Sequence, residues 1–212
     1  MVAPVTVREK DLHTLLGIVN GHREDLPPDG LPWSLLHDLM GLIRCDVVSF
    51  TGVDTTRQAI WFDQEIPTDE TAEEDAAAFW ANYWDCDGFT YADRTGDLRS
   101  VIKISDFYSV RQWHSTGLYT DYFGPYGIEH LLVLVLPAGP GQVRQPGQTV
   151  RLKLQRGPGP DFSERDRALL ALLRPHLHQA YLDAERRRCG APPLTLRHWE
   201  LLRRSGIGSC SA

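Results

Sequence analysis

The chain has 212 residues, 42% hydrophobic and 24% charged, and a formal net charge of −6. Those values describe one soluble globular domain with a sizeable core, with room for an appendage, and argue against a disordered chain. The charge is uneven: residues 185–212 hold six Arg against Glu185 and Glu200, a surplus of +4, which leaves −10 on the preceding residues. An acidic body repels a phosphate backbone, so any nucleic-acid binding is expected to come from the basic tail or from a partner. MVAPVTVREKDLH has no apolar leader character. The apolar run Leu131 to Leu136 is far short of the roughly 20 residues that cross a bilayer. A cytoplasmic protein without membrane contact is therefore expected. Cys45, Cys86, Cys189 and Cys210 show no metal-ligand spacing, so reduced thiols, no metal and no cofactor are expected.

Residues 6–20 place Val7, Leu12, Leu15, Leu16 and Val19 near helical spacing before Gly21, predicting a first amphipathic helix. Pro32 opens a second, with Leu35, Leu36, Leu39, Leu42 and Ile43 as its stripe, running to about Arg44. CDVVSFTGVD (45–54) and QAIWFDQE (58–65), joined by DTTR, read as an antiparallel hairpin. An acidic stretch follows, in which Asp69 or Thr71 is the expected cap, and it leads into the helical AAAFWANYW. Residues 85–100 are polar and turn-rich, VIKISDFY offers a short strand, and SVRQWHSTGLYTDYFGPYG a broken helical stretch. IEHLLVLVLP (128–137) is apolar on both faces, as a covered central strand should be. TVRLKLQR (149–156) alternates Val150, Leu152 and Leu154 with charged neighbours, and the loop PAGPGQVRQPGQ makes the two a long hairpin. DFSERDRALLALLRPHLHQAYLDAERRR begins at a Ser163 cap with Asp166 three residues on. Its stripe is Leu169, Leu172, Leu173, Leu177, Ala180 and Tyr181, and Pro175 is expected to kink or break it.

That order predicts an α+β fold around an antiparallel sheet. LLHDLMGLIRCDVVSF (35–50), STGLYTDYFGPYGIEHLLVLVLP (115–137) and RGPGPDFSERDRALLALLRPHLHQAY (156–181) resemble the GAF-like sensory domain at the N-terminus of actinobacterial LuxR-type transcriptional regulators. The resemblance implies a GAF/PAS-like antiparallel sheet flanked by helices over residues 1–190. It also implies a pocket between the sheet and the segments wrapping one face, and a homodimer through the N-terminal and closing helices. LTLRHWELLRRSGIG (194–208) is similar to the start of that family's helix-turn-helix, so 191–212 is expected to be a remnant of its first helix. No recognition helix follows Gly208, and independent DNA binding is not expected.

The pocket implied by the resemblance would draw on an unusually aromatic middle. The candidate ligand-binding residues are Trp61, Trp80, Trp84, Tyr91, Trp113, His114, Tyr119, Tyr122, Phe123 and His130, because rings with polar tips suit a planar or hydrophobic small molecule. The competing reading is that the rings fill a core and that His130 is a packed, satisfied histidine. A second functional class is an enzyme of a biosynthetic pathway using the same pocket, with His114 or His130 and Asp121 doing acid/base work as an isomerase, cyclase or lyase. No motif fixes such a reaction. Asp85 and Asp87 should raise the thiol pKa of Cys86 and keep it unreactive. His176 and His178, two apart on a helix, point in different directions and cannot share a metal ion. PAGPG and RGPGPD lack the Lys-Ser/Thr of a phosphate loop and read as turns.

Overall fold

Helical stripes and strand alternation resolve into definite elements in the computed structural model, which describes residues 7–67 (apart from 22, 24, 26 and 28), 72–139 and 147–188. In chain order these are α1 (Glu9–Asn20), α2 (Trp33–Ile43), β1 (Val47–Asp54), β2 (Ala59–Ile66), α3 (Ala72–Asn82), α4 (Asp87–Thr95), β3 (Val101–Lys103), α5 (Val110–His114), β4 (His130–Pro137), β5 (Gln148–Arg156) and α6 (Glu164–Arg188). The expected cap at Asp69 or Thr71, and the segment 191–212, lie outside the described residues. No helix among the described residues is long and apolar enough to cross a membrane.

The strands form one antiparallel sheet in the order β2-β1-β5-β4-β3, so the last strand is the middle one. The α+β fold expected from the element order is the fold observed. On the first face, Val48, Phe50, Leu132, Leu134, Leu152 and Leu154 pack against α1, α2 and α6. On the second, Ile102, Leu131, Val133 and Val135 pack against α3, α4, α5 and the turns that follow. Each such side chain contributes roughly 1.5–3 kcal/mol of burial.

Several polar groups lock the first layer. Buried Gln64 receives the Leu31 N–H at 2.9 Å and donates to the Leu31 carbonyl at 2.6 Å, tying the approach to α2 onto the sheet. Arg156 donates to the carbonyls of Ile43 (2.6 Å) and Arg44 (2.7 Å), filling the open C-terminal end of α2 with a cation. Ser163 and Asp166 form a reciprocal cap on α6, each side chain accepting the other's backbone N–H. Arg165 clasps Asp11 with two donors, at 2.5 and 2.9 Å, and joins α6 to α1.

The Asp11 clasp sets an acid limit. The hydrogen bonds from Arg165, then from the Arg8 backbone, hold the Asp11 carboxyl at about 2. Because the folded value lies below the unfolded one, the contribution is present above about pH 4 and is lost as pH falls toward 2. The melting temperature of the wild type should therefore drop more steeply between pH 4 and 2 than that of Asp11→Asn. Parallel curves would show that the clasp carries no folding free energy.

Four local expectations are corrected. Leu12 and Leu16 are exposed, and α1 is anchored instead by Leu15, Ile18 and Asp11. On α6, Leu172 is exposed and Leu170 is buried in its stead. Pro175 does not end α6. It lies on the exposed side with Ala171, whose carbonyl loses its helical partner there and can meet water. Residues 87–95 are a helix rather than turns. Gly88 in its first turn allows the approach to the turn that follows β3, since a Cβ there would lie 2.8 Å from Ile104 Cδ1.

The middle strand departs most from its sequence pattern. Arg151 and Lys153 read as a solvent face, yet both are buried beneath the second layer.

Candidate functional site

The second face of the sheet carries a polar row at its centre. β1 contributes Ser49 and Thr51, and β5 contributes Thr149, Arg151, Lys153 and Gln155, all buried. Register places Lys153 between Ser49 and Val133, and Arg151 between Thr51 and Val135. Strands with apolar residues on one side only would leave this row to water. Here α3, α4 and α5 cover it.

Most of the row is internally satisfied. Arg151, 1% exposed, donates to the Asp93 carboxylate at 2.8 Å, to the Phe89 carbonyl at 3.1 Å and to Thr149 Oγ1 at 3.3 Å. Its guanidinium carbon lies 5.2 Å from the centre of the Tyr83 ring. The Tyr83 hydroxyl donates to the same Asp93 carboxylate, and burial pushes that hydroxyl well above its ordinary range, so it remains a donor. These contacts clamp α4 to the sheet. Thr51 donates to Asp63 at 2.8 Å and Gln155 to Ser49 at 3.4 Å. Lys153 differs: it is 7% exposed, and its ammonium has no hydrogen-bond or ion-pair partner among the described residues.

Above the sheet runs a continuous series of ring contacts. Trp80 meets Phe79 at 5.1 Å between centroids, Phe79 meets Tyr122 at 5.3 Å, and Tyr122 meets Phe123 at 4.7 Å. Phe123 meets Trp113 at 5.8 Å, Trp113 meets Tyr119 at 5.5 Å, and Tyr119 stacks on His114 at 4.3 Å. A π-helical turn, Tyr119–Phe123, carries three of these rings, a backbone form that recurs at functional sites. Trp113 is buried, and its indole Nε1–H has no acceptor among the described residues. A buried donor without a partner costs about 1–3 kcal/mol.

Trp113 also lines a cleft of about 270 Å³ with Ile104, Tyr108, Val110, Glu129 and His130. Its polar wall is organised around Glu129, which accepts from the Tyr119 hydroxyl at 2.7 Å and lies 2.5 Å from His114 Nε2. Partial burial pushes the Glu129 carboxyl up, but the bonds from Tyr119 and His114 more than offset this and hold it below the usual range. The bond to Glu129, and then burial, push the Tyr119 hydroxyl up to about 12. His130 donates from Nε2 to the Gly159 carbonyl at 2.9 Å, and its Nδ1 is 3.6 Å from Asp161.

The structure brings Trp80, Trp113, Tyr119, Tyr122, Phe123 and His114 into one ring layer, with His130 on the cleft beside it. Trp61 lies elsewhere: a slip in register between Gly52 and Val53 lets its indole pack over Gly52 beside Phe62, on the first face. Trp84 is 42% exposed, and Tyr91 faces Phe107 and donates to Asp97 at the rim of α4. Asp121 is held by Asn82 and Thr120, and the carboxylate against His114 is Glu129. Burial is the main cause that pushes the Cys86 thiol up, with Asp87 a minor one.

Sequence reasoning does not single out Lys153, Arg151, Asp93 or Tyr83. The available signal is indirect: β5 pairs with β4, and a strand apolar on both faces implies that its neighbour is covered on both faces as well.

No protein-family model matches the chain, and no curated protein does. Among solved structures, the crystal structure of the VqsR LBD domain from Pseudomonas aeruginosa aligns with a TM-score of 0.53 and 17% identity. The alignment covers 87% of this chain and 97% of that one. At that identity the likeness establishes the fold: this chain shares with the VqsR LBD domain an α+β architecture of antiparallel sheet and flanking helices.

Proposed function

We propose that this chain is a small-molecule-binding sensory module of the kind found in LuxR-type transcriptional regulators, with a GAF-like arrangement of sheet and cover. The site is the layer between the polar row of β1 and β5 and the rings above it. The observation that carries this reading is Trp113 Nε1, a buried donor without a partner among the described residues, above the largely covered and unpaired side chain of Lys153. Natural interiors seldom leave such groups unpaired, and a bound molecule would complete them. The similarity to a domain described as an LBD supports the same reading.

A hydrophobic or aromatic molecule is the expected ligand class, because its body would meet rings on the covering side. The test is a thermal-shift and tryptophan-fluorescence screen of the purified chain against aromatic and hydrophobic metabolites. A saturable rise in melting temperature with altered indole emission is expected. A screen in which no compound gives both signals counts against the module. The exposed Leu12 and Leu16 on α1 support a homodimer through that helix. Sedimentation should then show a dimer in the wild type and a monomer in the Leu12→Glu, Leu16→Glu double variant.

The hydrogen-bonded Glu129, His114 and Tyr119 favour a second reading, an enzyme that uses the adjoining cleft for acid/base chemistry. Mass spectrometry of any bound compound after incubation separates the two. Under the enzyme reading a product forms, and Glu129→Gln slows its formation by about 10²-fold or more while binding persists. Recovery of the compound unchanged by the wild type excludes this second reading for that compound.

A further inference from the structure

Lys153 constrains the ligand's charge. It projects from the middle strand of the sheet into the second layer, 7% exposed. Its neighbours on that face are already engaged: Arg151 with Asp93, Thr51 with Asp63, and Gln155 with Ser49. Glu65 is placed across Ser49 on the far side of β1, its backbone about 10 Å from that of Lys153 by the spacing of strands, and it has contacts of its own. The positive charge of Arg151 is therefore balanced within the fold, and among the described residues that of Lys153 is not.

A lysine side chain covered to this extent without a counter-charge is costly, and a strand position facing a covered layer would ordinarily carry an apolar residue. A neutral carbonyl would satisfy one N–H but leave the charge unmatched. A carboxylate would do both, in a charge-assisted hydrogen bond. We propose that the ligand of this module is a carboxylic acid on a flat apolar body, its carboxylate seated on Lys153 and its body against the ring layer. This rests on the small-molecule reading above.

The test uses the full chain with matched probes: 1-naphthoate, indole-3-acetate and cinnamate, each against its primary amide, by thermal shift and calorimetry. At least one acid should bind the wild type tenfold or more tightly than its amide. Lys153→Met should abolish that preference by weakening the acid far more than the amide, which loses one neutral hydrogen bond but no charge pairing. Without ligand, Lys153→Met should melt above the wild type, because it removes a largely covered side-chain charge that the described residues do not balance. Lys153→Gln, which keeps a donor but not the charge, should also lose the preference.

If acids and amides bind alike, or if Lys153→Met keeps the preference for acids, the acid proposal is overturned and the module stands. If Lys153→Met and Lys153→Gln both lower the melting temperature and lose acid and amide together, Lys153 is a structural residue and the proposal is overturned. If neither acids nor amides bind the wild type, the module reading fails and the proposal fails with it.

Discussion

Asp93→Ala is expected to destabilise the protein by about 3–5 kcal/mol, among the largest single-residue costs in this fold. Asp93 supplies the counter-charge for Arg151, whose side chain is 2% exposed, and accepts the Tyr83 hydroxyl as well. Removing it leaves a guanidinium buried on the middle strand with only the Phe89 carbonyl and Thr149 hydroxyl as acceptors among the described residues. The penalty is that of stranding a charge, which exceeds the net value of the pair. Adding Arg151→Met to Asp93→Ala should therefore recover much of the loss, because it removes the stranded charge. Urea denaturation of the wild type, both single variants and the double variant closes the cycle. Additive costs would show that the two residues act independently, contrary to the clamp described here.

The second large effect is at Trp113. Trp113→Ala should cost about 3–5 kcal/mol, as expected of a large ring removed from a packed interior. The ring touches Tyr108, Tyr119 and Phe123, which lose their common packing partner. Trp113→Phe should cost much less. It gives up part of the buried area but also removes an N–H that has no acceptor among the described residues. Binding should show the opposite pattern: Trp113→Phe, though nearly as stable as wild type, should weaken a ligand that accepts from the indole. If Trp113→Phe is as destabilised as Trp113→Ala, shape alone matters there. If it binds ligand as the wild type does, the indole N–H is not used in recognition.

Both predictions arise on the second face of the sheet, where the chain is hardest to read locally. The first face is legible because each element facing it carries a conventional apolar stripe: Leu35, Leu36 and Leu39 on α2, Leu169 and Leu173 on α6, Val150 and Leu152 on β5. Even there the departures have a physical cause. Leu12, Leu16 and Leu172 fit the spacing of their stripes, but each helix presents only a narrow face to the rest of the first layer, α1 to α2 and α6, and the ends of that arc are left to water. On the second face the segment that forms α4 reads as turns because Gly88 and the flanking aspartates are poor helix signals. The glycine is there for close approach to Ile104, a contact between residues sixteen apart in the chain.

The candidate site is legible in part. The density of rings between residues 80 and 123 marks the covering layer, and Trp113, Tyr119, Tyr122 and Phe123 are in it. Trp61 packs away from that layer because a slip in the pairing of β1 with β2 shifts the side its indole takes, and nothing local announces the slip. Spacing along the chain favours Asp121 as the carboxylate for His114. The fold supplies Glu129 instead, brought in just before β4.

The sequence by itself determined the class of this fold, the order of its strands and helices along the chain apart from α4, and the aromatic character of one layer. Those follow from periodicity and composition, which act within a few residues. Only the tertiary structure decided that β5 is the middle strand. With that came the burial of Arg151 and Lys153, the pairing of Arg151 with Asp93, and the lack of a partner for Lys153 among the described residues. Whether a charge faces water or a covering helix depends on what the rest of the chain lays over it, and no local pattern records that.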